Sequence, residues 1–167
     1  MPLELRTKSD INSSISRLES LLNSNILSTQ EQHLFKESVF IEVLILLRDL
    51  LRKSEKYFDK RIDFTDDVNI TDNILDVNDL IKNYRDAACH IESKDRNFDK
   101  NLVLNFNIIY GKCVAIQYGD NEIGSKYKDD VAFITGSNIL YLKRHIFRTF
   151  SELITVFSSH NILHKTF

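Results

Sequence analysis

The sequence predicts a mainly α-helical protein that folds as one domain over residues 1–167, with a β-hairpin at about residues 102–119 inserted before the last helix. Four glycines and one proline are too few for a typical strand-rich fold, which needs many turn residues. The length of 167 residues suffices for one well-buried core and leaves little room for a second domain. Apolar residues also recur with a helical period over most of the chain.

Composition and charge exclude several classes of protein. With 43% hydrophobic and 28% charged residues, the chain has the usage of globular proteins rather than disordered ones. A net charge of −2 gives no overall positive field, so any binding to a polyanion must depend on local clusters. The longest apolar stretch, residues 43–47, is too short to span a bilayer, and residues 1–8 lack the apolar core of a secretory signal.

The two cysteines, Cys89 and Cys113, have no neighbouring Cys or His at a metal-ligand spacing. We expect both to be buried, reduced thiols, which agrees with a cytoplasmic location. A disulfide between them is the alternative that the sequence leaves open.

Two long helices are predicted in the first third of the chain. Apolar residues from Ile11 to Leu22, preceded by the cap-type residues Ser9 and Asp10, predict a first helix that ends near residue 24. Ser28, with Glu31 three residues later, resembles a capping box, so the second helix is predicted over residues 28–57. It carries apolar residues on more than one side, which indicates either a central position or a second face buried against another chain.

An acidic connection and a third helix follow. Aspartates and asparagines accumulate over residues 59–76, but they lack the alternating spacing and the central glycine of a calcium loop. A solvated loop is therefore favoured over a metal site. Asp76 is the predicted N-cap of a helix whose apolar stripe begins at Val77 and which frays within residues 92–95.

The remainder of the chain is predicted as a hairpin and a final helix. Residues 103–110 and 113–118 are rich in β-branched and aromatic side chains and are separated by Gly111 and Lys112, which predicts a β-hairpin. Residues 131–135 are a further candidate strand. After residues 136–138, a helical period reaches about Ser158.

The best candidate site lies on the third helix, at Arg85, Asp86 and His90. Asp86 and His90 are four residues apart and share a helical face, where a carboxylate can hold an imidazole in one tautomer. An arginine binds phosphate bidentately and a histidine moves protons, so this set could cleave an RNA phosphodiester without metal, using the 2′-hydroxyl as nucleophile. The alternative is a pair of surface charges and a histidine that stabilises the helix C-terminus.

Residues 85–90 resemble the R-x4-6-H motif of the HEPN family, in which a polar residue follows the arginine, as Asp86 does here. The resemblance, which extends to uncharacterised bacterial HEPN-like proteins, implies an up-and-down helical bundle that forms a homodimer with the motif in a shared cleft. It implies a metal-independent endoribonuclease of a defence or toxin-antitoxin system. In such an enzyme Arg85 contacts the scissile phosphate, His90 moves protons, and Asp86 orients or tunes these two side chains. The alternative is a catalytically silent module that binds RNA or a partner such as an antitoxin protein.

Weaker candidates lie towards the C-terminus. Lys143, Arg144 and His145 form a basic cluster that could bind an RNA backbone, although a solvated face is the simpler interpretation. His160 and His164 are four residues apart but lack a third ligand nearby, so we expect no metal and no cofactor.

Overall fold

The structure, a computed structural model, describes residues 3–90, 106–118 and 121–163. In chain order, the elements of these residues are α1 (Leu5–Asn23), α2 (Lys36–Phe58), α3 (Val77–Cys89), β1 (Asn107–Tyr110), β2 (Cys113–Tyr118), β3 (Asn121–Ser125), β4 (Val131–Thr135), β5 (Asn138–Tyr141), a π-helix (Leu142–Phe147) and α4 (Arg148–Ser159).

The expectation of an up-and-down helical bundle is wrong. Of the described residues, 51% are helical and 17% lie in strands, and the strands form two small antiparallel sheets, so the class is mixed α/β. The scarcity of glycine misled the prediction, because asparagine and aspartate can also adopt the left-handed conformation that turns require. Residues with positive φ include Asn25, Asp59, Asp67 and Asn161.

The predicted hairpin within residues 102–119 is also wrong in its pairing. β1 pairs with β4, with Ile108 opposite Phe133, whereas β2 pairs with β3. The Gly111 N–H donates to the Asp130 carbonyl at 2.9 Å, which continues the β1–β4 ladder beyond the strand end. Gly111 therefore belongs to the end of this ladder and does not close a two-residue turn. Residues 102–105 and residue 119 of the predicted hairpin lie outside the described residues.

Strand β4, which was the candidate strand at residues 131–135, is the centre of the larger sheet. The strand order is β1-β4-β5, and all five residues of β4 are buried. Val131 and Phe133 belong to the core shared with the helices, whereas Ala132 and Ile134 belong to a smaller core that also contains Ile123 of β3. The larger sheet is therefore covered on both faces, which explains an uninterrupted apolar strand.

Some helix boundaries lie where the sequence predicted them, and others do not. Asp76 is confirmed as the N-cap of α3, because its carboxylate accepts the Asp79 N–H at 2.9 Å. The capping box at Ser28 is wrong: the Ser28 hydroxyl donates to the Asn25 carbonyl at 3.1 Å in a turn, and α2 begins only at Lys36. The first helix begins at residue 5, before its predicted caps, and the predicted fraying at residues 92–95 falls outside the described residues.

The C-terminal segment holds a strand before its helices. Residues 138–141, predicted as the end of a turn and the start of the last helix, form β5, and the π-helix follows directly. The buried Asp130 carboxylate accepts the backbone N–H groups of Lys143 at 2.8 Å and Arg144 at 3.2 Å, so it caps the π-helix. The predicted end near Ser158 is confirmed, since α4 ends at Ser159.

Tyr84 of α3 joins the helices to the larger sheet. Its side chain is 1% exposed, and its hydroxyl lies 2.7 Å from the Phe133 carbonyl and 2.6 Å from the Asn138 carbonyl. Phe40 of α2 stacks on Phe133 with 4.2 Å between ring centroids and meets Tyr84 edge-on at 6.3 Å. Helix α2 contacts α1, α3 and α4, which confirms the central position that its apolar pattern allowed.

We expect Tyr84→Phe to lower the free energy of unfolding by about 1–3 kcal/mol, because it removes the buried hydroxyl donor that serves two carbonyls. Urea unfolding followed by circular dichroism measures the change. The control is Tyr57→Phe on the exposed side of α2, which should stay within about 0.5 kcal/mol of the unaltered protein. Equal effects of the two substitutions would contradict the role given to Tyr84.

Candidate functional site

Arg85 and Asp86 lie side by side on the flank of α3. Their neighbours Tyr84 and Ala87 point into the core, which leaves both charged side chains at the surface, with 30% and 29% of their area exposed. Arg85 Nη1 donates to Asp86 Oδ1 at 2.9 Å. Asp86 therefore holds one edge of the guanidinium, and no other described residue bonds to the remaining N–H groups of Arg85.

His90 is the C-cap residue of α3 and is exposed. Its backbone N–H donates to the Asp86 carbonyl at 3.0 Å, but its φ of −122° and ψ of 108° take it out of the helical path. Among the described residues, no hydrogen bond joins the Asp86 carboxylate to the His90 imidazole. The structure thus brings Asp86 together with Arg85 rather than with His90, because the helix ends at Cys89.

Arg48 of α2 adds positive charge close to Arg85. Arg48 Nη1 donates to Asn78 Oδ1 of α3, and its Nε is buried with no partner among the described residues. Burial lowers the pKa of Arg48, Glu55 opposes this shift, and the positive charges of Arg52, Arg61 and Arg85 add to it. The charged groups on this side of α2 and α3 therefore interact electrostatically.

The contribution of α2 to this region was not predicted from the sequence. Arg48, Arg52 and Lys56 recur at steps of four residues, which places them on one face of a helix. That spacing was visible in the sequence, but nothing in it showed that this face lies beside Arg85.

Arg61 organises the acidic side chains next to this positive region. Its guanidinium donates to Asp76 at 2.7 Å, to Glu55 at 2.5 Å and to Asp79 at 2.9 Å. The hydrogen bond with Asp76 is the main cause that raises the pKa of Arg61. These carboxylates join the start of α3 to the end of α2.

The basic cluster at residues 143–145 has three different environments. Lys143 is exposed, Arg144 is paired with Asp129 at 3.1 Å and with Asp130 at 2.9 Å, and His145 is completely buried. Arg144 also lies 3.4 Å above the ring centroid of Tyr127. Within the described part of the chain, no hydrogen bond or ion pair joins this cluster to Arg85, Asp86 or His90.

His145 stabilises the fold around the π-helix. Its Nδ1 accepts the Tyr141 N–H at 3.0 Å, so the proton of the neutral ring is on Nε2, which donates to the Asp66 carbonyl at 3.0 Å. Burial lowers the pKa of His145. Arg148 lies on the outside of the same junction and pairs with Asp66 at 2.8 Å.

The two cysteines are free, as expected, but they are not buried. Cys89 and Cys113 are free thiols, but both are exposed, so the expectation of buried thiols is wrong. The helix ends at Cys89, and Cys113 begins a strand of the small outer sheet; neither position is covered by the core. No group of three metal-ligand side chains occurs among the described residues, and His164 of the predicted pair lies outside them.

No protein-family model matches the chain, and comparisons with curated proteins and with solved structures give no match either. Within residues 3–90, 106–118 and 121–163, none of the helices combines the length and the apolar character needed to cross a membrane.

We expect the buried His145 to make the protein less stable in mild acid. Because the folded state holds the pKa of His145 below its ordinary value, the unfolded state binds a proton first as the pH falls from about 7.5 to about 5.5. The stabilisation is fully present above the unfolded pKa and is lost as the pH falls through the folded pKa. Urea unfolding across this interval measures the loss.

The variant His145→Asn keeps an acceptor near Nδ1 and cannot titrate in this interval. It should be less stable than the unaltered protein at neutral pH, and its free energy of unfolding should change less between the two pH values. The control His33→Asn alters an exposed histidine and should keep the original pH dependence. The assignment fails if His145→Asn retains that dependence in full.

Proposed function

We propose that the protein is a cytoplasmic, metal-independent endoribonuclease that acts as a homodimer, with its site at the C-terminal end of α3. The observation that carries the proposal is the ion pair of Arg85 and Asp86 at the surface, close in sequence to an exposed imidazole at His90. The resemblance of residues 85–90 to the HEPN motif points to the same chemistry.

Arg85 is suited to bind the scissile phosphate. A guanidinium presents its donors in a planar fork that matches two phosphate oxygens, and it keeps its charge at all physiological pH values. The ion pair with Asp86 restricts the side chain before substrate binds, so less conformational entropy is lost on binding. Asp86 acts in this scheme as a positioning residue for Arg85.

His90 is suited to transfer a proton. In the reaction, the 2′-hydroxyl oxygen of the substrate attacks the adjacent phosphorus and loses its proton to a base, while the bond from phosphorus to the 5′-oxygen breaks. That oxygen takes a proton from an acid, and the products are a 2′,3′-cyclic phosphate and a 5′-hydroxyl. Histidine can serve as base or acid near neutral pH, and two copies of His90 in a dimer could divide the roles.

An exposed apolar position on α2 supports the dimer. Ile45 is 46% exposed in the middle of this otherwise well-buried helix, and it lies one turn before Arg48, whose charge interacts with that of Arg85. Ile41, one turn earlier, is half-buried. Association of two copies through this side of α2 would bury both isoleucines and bring two sites near each other.

A second candidate is a catalytically silent module that binds RNA or an antitoxin-like partner through the same surface. The pairing of Asp86 with Arg85 favours it, because it leaves the His90 imidazole with no carboxylate partner among the described residues. In this case Arg85 would contribute to binding, and His90 would be dispensable.

We expect the purified protein to cleave single-stranded RNA in the presence of a chelator, and His90→Ala to reduce the rate by about 100-fold or more, because it removes the proton-transfer group. Arg85→Ala should reduce the rate to a similar degree. The control is His33→Ala, which removes an exposed histidine elsewhere and should leave the rate unchanged. Intact RNA with the unaltered protein, or equal cleavage by His90→Ala, would refute the enzyme and favour the binding module.

We expect Ile45→Asp to shift the protein from dimer to monomer in sedimentation equilibrium, since it places a charge in the proposed apolar contact. Cleavage of RNA should fall in parallel. Ile70→Asp, at a residue that is 52% exposed in the acidic connection, is the matched control and should remain dimeric. A monomeric unaltered protein would rule out the shared site.

A further inference from the structure

The exposed side of α2 carries a row of three cations, Arg48, Arg52 and Lys56, which we call the α2 strip. Steps of four residues place successive members on one helical face, about 6 Å apart along the axis. Arg52 and Lys56 are exposed, and neither has an ion pair within the parts of the chain that the structure describes. Arg52 and Lys56 are thus open to solvent, whereas Arg48, at the start of the α2 strip, is half-buried.

The acidic residues beside the α2 strip are already paired with other side chains. Asp49 pairs with Lys53, and Glu55 accepts hydrogen bonds from Arg61 at 2.5 Å and from Asn78 at 3.0 Å. These pairs leave the charge of the α2 strip only weakly compensated. The negative end of the helix dipole favours a cation in the last turn of α2, which accounts for Lys56 but not for Arg48 or Arg52.

The cations of this region also repel one another. Burial is the main cause that lowers the pKa of Arg48, and the carboxylate of Glu55 opposes this shift. Arg52, Arg61 and Arg85 lower the pKa further. Arg48 Nε is buried and unpartnered among the described residues. A bound anion would reduce this repulsion between the cations.

Tyr57 adds an aromatic surface at the end of the α2 strip. It lines the same shallow groove as Arg48, Arg52 and Lys56, and it is 37% exposed. Lys56 Nζ lies 5.0 Å from the centre of its ring. A basic groove with an exposed aromatic ring is the combination by which proteins bind single-stranded nucleic acid, with phosphates on the cations and a base on the ring.

We infer that the α2 strip binds the backbone of single-stranded RNA and that Tyr57 stacks on one of its bases, beside the site at Arg85. The inference deepens the proposed function and rests on it, because RNA is the strand that such a site would cleave. The spacing of the cations is comparable with that of consecutive phosphates in one strand. A single row serves one backbone, whereas a duplex presents two backbones across a wide minor groove.

Binding is measured by fluorescence anisotropy with a labelled single-stranded RNA of about 12 nucleotides, at several salt concentrations, using the His90→Ala protein so that the probe is not cut. Three phosphate contacts should give a slope of about −2 in log affinity against log salt. Arg52→Glu combined with Lys56→Glu should weaken binding at least about tenfold and flatten the slope. Tyr57→Ala should weaken binding about tenfold and leave the slope unchanged.

The matched control replaces two exposed lysines that adjoin the strands, with Lys112→Glu and Lys126→Glu in one protein. It makes the same change in net charge and should bind RNA normally. The inference is overturned if both double variants lose the same affinity, if neither does, or if duplex RNA binds more tightly than the single strand. Equal affinity for poly-glutamate would assign the α2 strip to an acidic protein instead.

The outcomes separate this inference from the proposed function. RNA that binds through the α2 strip but is never cleaved would refute the enzyme and leave the strip standing. RNA that is cleaved equally well, with unchanged KM, by the Arg52→Glu and Lys56→Glu protein would refute the strip and leave the enzyme standing.

Discussion

The contact of Tyr84 with the larger sheet is the interaction on which the rest of the structure depends. A buried hydroxyl needs a partner, and here it meets two carbonyls of the β4–β5 hairpin, which fixes α3 in both rotation and position along the sheet. Phe40 and Phe133 fill the space beside it and attach α2 to the same point. Because Arg85 follows Tyr84 directly, the burial of the tyrosine decides that the arginine lies on the flank facing α2.

Charged networks hold the connection between α2 and α3 on two sides. Arg61 joins this connection to the two helices, while Asp66 accepts from buried His145 at its backbone carbonyl and from Arg148 at its carboxylate. Of the six aspartates at residues 59–76, Asp66, Asp67 and Asp76 are used in structural contacts. The carboxylates of α2 are likewise paired, Asp49 with Lys53 and Glu55 with Arg61. Arg52 and Lys56 of the α2 strip therefore keep their positive charge.

Only part of the fold and of the candidate site was predictable. The apolar period located the helices, and Asp76 was recognisable as a cap because capping depends on residues within one turn. Because the cap and the apolar period defined α3, they also placed Arg85 and Asp86 on this helix. The bond between Asp86 and Arg85, instead of His90, was not predictable, because the four-residue spacing shares a face only while the helix continues, and α3 ends one residue before His90.

By itself, the sequence determined that four helices occur and roughly where their centres lie, but not where most of them begin. It also determined the segment 131–135 as a strand, and the presence of an arginine, a carboxylate and a histidine within six residues. The tertiary structure decided which strands pair, that both cysteines are exposed, and that His145 is a core residue while Lys143 is not. It also decided that Arg48 of α2 lies close enough to Arg85 for their charges to interact. Helical period and capping are set by residues a few positions apart, so one segment contains the information. Strand pairing, burial and the meeting of two charged faces depend on residues far apart in the chain, which only the packing of Tyr84, Phe40 and Phe133 brings together.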